Sequence, residues 1–231
     1  MLSGAPFSYT LIGSHVTTAI DRDSPQTARG RGIVYVLSGP SGVGKDTVLQ
    51  GLREFEPDIH YCITATTRQP RPGERHGVNY YFLNEVEFER LRAGGGLLEW
   101  DEHFGHRYGS PCAQVADALA RRQDVLACVD VHGAASIRKR IPQAVLIFLA
   151  PASIHELRDR LRGRGTEDEA ALQLRLAQAQ HELDQMPDFD YVVTNGDGQL
   201  GAATEAVRGI IRSERLRVDP RYATVEGDCV R

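Results

Sequence analysis

The chain has 231 residues, 41% of them hydrophobic and 25% charged, enough for one buried core with smaller subdomains inserted in it. A net charge of −4 supplies no global attraction for nucleic acid or an anionic membrane. The four cysteines, Cys62, Cys112, Cys128 and Cys229, have no CxxC spacing, so neither a zinc site nor a disulfide framework is expected, and no apolar run approaches the ~18 residues of a membrane span.

Residues 1–32 mix Ser, Thr, Gly and charge without a basic-then-apolar targeting pattern, and read as a flexible extension of a cytoplasmic protein. The apolar run 33–37 predicts a central parallel strand covered on both faces. It leads into Ser38-Gly39-Pro40-Ser41-Gly42-Val43-Gly44-Lys45-Asp46-Thr47, followed by Val48, Leu49, Leu52 and Phe55 at helical spacing. Strand, glycine-rich turn and helix form the context of a phosphate-binding loop: backbone N–H groups converge on an anion, the helix adds its positive end, and Lys45 reaches the β- and γ-phosphates. Asp46 stands where the motif usually carries Ser or Thr. It is a hard-oxygen ligand for magnesium, directly or through water, and the hydroxyl residue Thr47 follows. The competing reading is a glycine-rich turn without chemistry.

Next comes Thr64-Ala65-Thr66-Thr67-Arg68-Gln69-Pro70-Arg71-Pro72-Gly73-Glu74, then Gly77 and Tyr80-Tyr81-Phe82. Prolines and glycines hold Arg68, Arg71 and Arg75 in turn-like backbone, which suits bidentate capture of a second phosphate; a solvated arginine loop is the alternative. A short helix over 85–91 ends at Gly94-Gly95-Gly96, and 97–100 is a short strand or turn carrying Glu99. A tight turn with Tyr108-Gly109-Ser110 precedes a helix started by Pro111. Residues 125–131 predict a buried parallel strand with Asp130 near its carboxyl end, where ligands of open α/β sheets gather; a structural aspartate is the alternative. A strand over 144–149 and a helix through Leu157 and Leu161 follow.

Arg162-Gly163-Arg164-Gly165-Thr166-Glu167 then opens a helix predicted to reach Met186, with Arg175 eleven residues, about three helical turns, beyond Arg164. Glycine hinges beside arginines suit a lid over a nucleotide, against a plain charged hairpin. The pattern closes on a strand over 190–195, a helix over 200–211 and, past Arg217, a loose tail. No internal repeat interrupts it.

A phosphate loop, a second arginine cluster and an arginine lid make a kinase plan. An acceptor that is itself a phosphate needs no strong general base, and Glu99 with Ser110 pairs an acceptor and a donor suited to guanine's edge, although spacing alone does not identify the base. From about 33 to 212 the chain resembles the guanylate kinase family, through Gly39 to Lys45, the 66–74 motif, Gly77, Tyr80, Phe82, Glu99-Trp100, Tyr108-Gly109-Ser110, Asp130 with Gly133, and Arg162 to Glu167.

The resemblance implies an α/β fold. A kinase-like domain over 33–217 would hold a three-layer phosphate-loop kinase core with a parallel sheet, an inserted mixed α/β GMP-binding subdomain at about 64–115 and a mobile helical lid at about 162–176, followed by a tail at 218–231. It implies ATP-dependent phosphorylation of GMP or dGMP with Mg2+. Arg68, Arg71 and Tyr80 bind the GMP phosphate, with Tyr108 and Asp130 among the substrate contacts; Thr64, Glu74, Glu99 and Ser110 line the guanine side. Lys45, Arg164 and Arg175 surround the transferring phosphate, Asn195 lies near adenine, and Asp46 and Asp130 attend the metal.

Two positions depart from the family pattern: Asp46 replaces Ser, and Cys128 stands where the first Asp of an Asp-x-Asp pair is usual. The Gly-Lys-Asp ending looks like the ribose 1,5-bisphosphate phosphokinases, which are not expected to keep the 68–80 motif. A non-catalytic binding module would be expected to lose loop and lid residues that are present here. Whether the protein is a monomer or a homodimer is left open.

Overall fold

The computed structural model describes residues 32–103, 105–163 and 169–225. The expected N-terminal extension up to residue 31, and residues 164–168 of the expected lid with Arg164 among them, therefore lie outside the described residues. In chain order the elements are β1 (Val34–Ser38), α1 (Lys45–Phe55), β2 (His60–Tyr61), β3 (Ala65–Thr66), β4 (Tyr81–Phe82), α2 (Glu85–Ala93), β5 (Leu97–His103), β6 (His106–Pro111) and α3 (Cys112–Ala120). There follow β7 (Val125–Cys128), α4 (Val131–Arg140), β8 (Val145–Ala150), α5 (Ile154–Gly163), α6 (Glu169–Asp184), a 3-10 turn, β9 (Tyr191–Thr194) and α7 (Leu200–Arg215).

The main sheet runs β2-β7-β1-β8-β9, and every pairing in it is parallel. Its central strand explains the unbroken apolar run. Tyr35 and Leu37 face a core with Val48 and Leu52 of α1 and Val207 and Ile211 of α7, whereas Val34 and Val36 face Val115 of α3 and Ile137 of α4. With β7 on one side and β8 on the other, the carboxyl end of β1 is the crevice where an open α/β sheet takes its ligand. The phosphate loop starts there.

A second sheet, β4-β3-β6-β5, is built from the 64–115 interval. The 97–100 segment, read as a short strand or turn, is the start of a seven-residue strand that forms an antiparallel hairpin with β6. Its register shifts between Leu97 and Trp100, around Glu99. Contacts between β5 and α4 tie this sheet to the core.

Three sequence expectations are corrected. The strand predicted to reach Val131 stops at Cys128, because the Asp130 carboxylate accepts from Gly133 N at 2.7 Å and caps a helix, α4, that the pattern did not reveal. The segment after Arg217 is not loose over the described residues. Tyr222 bridges to Ile33, Ala223 is buried in the core, and Arg221 pairs with Asp190 at 3.0 Å. Third, Cys112 is disulfide-bonded, while Cys62 and Cys128 are free. No described helix is long and apolar enough to cross a membrane.

Candidate active site

The loop between β1 and α1 lines a cavity of about 430 Å3 with Gly39, Ser41, Gly42, Gly44, Lys45, Asp46 and Thr47. Pro40 accepts from Val43 N at 3.2 Å and closes the turn. Gly44, the residue before α1, has φ +101°, and a Cβ there would stand 2.7 Å from Asn195 Nδ2. Lys45 Nζ donates to the carbonyls of Gly39 (2.5 Å) and Pro40 (3.2 Å), so its ammonium lies across the cradle.

The loop is braced from the end of β9. Asn195 Nδ2 donates to Val43 O at 2.8 Å, and Arg160 of α5 donates to Val43 O and to Asn195 O while pairing with Asp197 and Glu156. Arg160 was not singled out in the sequence, where it is one of several arginines on a charged helix. Glu102, Asp130, Arg175, Gln178 and Glu182 complete the cavity wall.

A second cluster, flanking the inserted sheet, is organised by Arg68. Its Nη2 donates to Glu74 Oε1 at 2.9 Å and its Nη1 to Gln69 O at 2.7 Å, it hydrogen-bonds Tyr108, and its guanidinium lies 5.3 Å from the Tyr80 ring centroid and 5.8 Å from that of Phe82. Glu74 Oε2 also accepts from Arg71 N at 2.7 Å, and the two bonds, that from Arg68 foremost, hold its carboxyl below the ordinary range. Glu74 thus fixes the arginine loop; Arg71 itself is exposed. Thr64 contributes its carbonyl, which accepts from Tyr81 N at 2.9 Å.

Truncation of Arg68 to Ala should raise the KM for a phosphorylated acceptor about 10- to 100-fold, the loss of charge-assisted bonds to one anion, with kcat changed far less. Steady-state kinetics checks this; an equal fall in kcat would assign Arg68 to the transfer step instead.

Below the arginines, Ser110 Oγ donates to Glu99 Oε1 at 2.6 Å, with Glu99 only 9% and Ser110 1% exposed. Gly133 makes room for this pair, since a Cβ there would stand 3.2 Å from Glu99 Oε2. Burial, opposed by the Ser110 bond and reinforced by the nearby Asp130 charge, lifts the Glu99 carboxyl to about 7. Asp130 belongs to both halves: it lines the phosphate cavity and acts on Glu99. Glu102 of β5 lines the cavity together with the phosphate loop, so loop and inserted sheet face one cleft, and the charge of Asp46 reaches Tyr80 across it.

If ionised Glu99 receives the N–H edge of a base, acceptor KM should rise as pH falls below about 7, by up to tenfold per unit, because the protonated carboxyl is a poorer acceptor. The acceptor phosphate itself titrates near pH 6. Glu99→Gln separates the two: KM measured between pH 5.5 and 8.5 should lose the component centred near 7, and an unchanged profile would remove Glu99 from recognition.

A strand, phosphate loop and helix that face an arginine-bearing inserted sheet across one cleft define a phosphoryl-transfer enzyme of the phosphate-loop kinase class, one whose acceptor carries a phosphate of its own. The comparisons narrow this: residues 31–214 match the guanylate kinase family model, and the chain belongs to that family. Among its relatives, a guanylate kinase of Shouchella clausii is 43% identical over 189 residues, covering 82% of this chain and 91% of the relative. A guanylate kinase of Streptomyces coelicolor is 47% identical over 171 residues, covering 74% and 86%. The crystal structure of guanylate kinase from Anaplasma phagocytophilum matches with TM-score 0.66 at 31% identity, over 81% of this chain and 88% of that one.

Proposed function

We infer that the protein transfers the γ-phosphoryl group of ATP to GMP or dGMP, giving ADP and GDP or dGDP. The observation that carries the guanine assignment is the buried Glu99–Ser110 pair beside the Arg68–Tyr80 cluster and across from the phosphate loop. Guanine offers N1–H and N2–H donors to a carboxylate and O6 to a hydroxyl, the single Ser110 hydrogen turning from Glu99 to O6 as the base's own N–H groups take its place. Adenine would set a bare N1 lone pair against the same carboxylate.

The chemistry follows from position and charge. Arg68, Arg71, Tyr80 and Tyr108 hold the acceptor phosphate, already largely ionised near neutral pH, so one of its oxygens bonds to the γ-phosphorus as the bond to the β–γ bridging oxygen breaks. Lys45 and Arg175, with Arg164 by family resemblance, stabilise charge on the transferring group. Asn195 stands at the adenine side.

The cavity wall carries the cations Lys45 and Arg175 against the carboxylates of Asp46, Glu102, Asp130 and Glu182. Such a wall accepts a polyphosphate most readily with a divalent cation. The hard oxygens of Asp46 and Thr47, with Asp130 through water, fit Mg2+, which when bound neutralises charge on the phosphates.

Calorimetric titration tests the guanine assignment. GMP and dGMP should bind at least about 100-fold more tightly than AMP; equal affinities would contradict it.

A further inference from the structure

We propose that Glu182 is a positioning residue for the transfer step: it pins α6 to the edge of the phosphate loop and so sets Arg175 over the cavity. The inference rests on the role given above to Arg175. Ser41 is the point of attachment. Its N–H donates to Glu182 Oε2 at 3.2 Å, and its Oγ accepts from Arg175 Nη2 at 3.2 Å. Both partners come from one face of α6, seven residues or about two helical turns apart. Between them Gln178 donates to Glu182 Oε1 at 3.2 Å, so both carboxylate oxygens are held.

Glu182 is 6% exposed, and a carboxylate so placed is stabilised only while its hydrogen bonds last. Apolar contact alone does not fix α6 at this height. Leu172 and Ala179 pack with Leu157 and Leu161 of α5, a seam of nonpolar side chains that carries no directional bond to the loop. The Ser41 N–H supplies that bond. One amide hydrogen cannot serve two acceptors; with the Ser41 N–H given to Glu182 and the Val43 N–H to Pro40 O, Gly42 and the residues from Gly44 onward are left as the phosphate donors, and Ser41 is the anchor of α6.

The test is a double-mutant cycle on the full chain with ATP, Mg2+ and GMP. Arg175→Ala should lower kcat about 100-fold or more. Glu182→Ala should lower kcat about 10- to 100-fold, as a displaced catalytic group does, with KM for GMP within about threefold. Glu182→Gln keeps an oxygen acceptor for Ser41 N–H and should restore at least a third of wild-type kcat. Adding Glu182→Ala to Arg175→Ala should cost less than about threefold more, because the first residue acts through the second.

Full additivity would overturn the inference, since Glu182 would then act on something else. Tighter ATP binding in Glu182→Ala or Glu182→Gln would overturn it too, by showing a carboxylate that competes with phosphate. If Glu182→Ala fails to fold, Glu182→Asp, which withdraws the carboxylate by one methylene, enters the same cycle with the same expected non-additivity. Wild-type kcat in Arg175→Ala would remove the role of Arg175 and the inference with it, whereas loss in Arg175→Ala with wild-type kcat in Glu182→Ala would remove the inference alone.

Discussion

Replacing Lys45 by Ala should lower kcat on the order of 10²–10³-fold while leaving the KM for GMP within about threefold. The ammonium lies on the two carbonyls that open the phosphate loop, Gly39 and Pro40, on the donor wall of the cleft. Arg68 and Tyr80, to which we assign the acceptor phosphate, flank the strands of the inserted sheet. Removing Lys45 therefore takes positive charge from the transferring group without disturbing the acceptor cluster. Arginine should rescue only weakly, because a planar fork does not replace a compact point charge between two carbonyls. Steady-state kinetics with each substrate varied in turn checks the division; a large rise in GMP KM with kcat preserved would contradict it.

Glu99→Gln should lower kcat/KM for GMP at least about 10²-fold, since the amide offers one acceptor oxygen and turns a second donor toward a base edge made of donors. The protein itself should not be weakened. Glu99 is lifted to about 7, so the folded chain holds its proton more tightly than the unfolded chain does. The contribution of this group to stability therefore falls as pH rises from the ordinary carboxylate range through about 7. At pH 8 the Gln variant, which keeps an oxygen for Ser110 Oγ, should melt no lower than wild type while its activity collapses. Thermal melting beside kinetics separates the cases: a variant that loses both together would make Glu99 a structural residue.

The donor half of the site was legible because its signals are local. An unbroken apolar strand, glycines and a lysine at fixed spacing, and a helical repeat lie within about two dozen residues of one another, and β1 and α1 form where they are expected. The arginine loop was legible through its prolines and glycines. Glu99 and Ser110, eleven residues apart, meet only because β5 and β6 fold back as a hairpin with a register shift beside Glu99; no spacing rule announces that pairing.

Helix α4 was missed because its apolar residues are few, with Gly133 in the first turn and Arg138, Lys139 and Arg140 at the end, so the strand ahead of it seemed to continue. Arg160 and Glu182 read as ordinary charged positions on helices, and each takes its meaning from a loop more than one hundred residues away in sequence. The segment after Arg217 was misread for the opposite reason. Its polar composition looks like a tail, yet the small side chain of Ala223 and the ring of Tyr222 close the edge of the core beside Ile33.

The most direct measurement is a coupled ADP-release assay on the purified protein with ATP and Mg2+, offering GMP, dGMP, AMP, UMP and ribose 1,5-bisphosphate separately. Turnover confined to GMP and dGMP is the predicted result. Turnover with the sugar bisphosphate alone, or with none of the five acceptors, would contradict the assignment of the arginine loop and the Glu99–Ser110 pair to a guanine nucleotide.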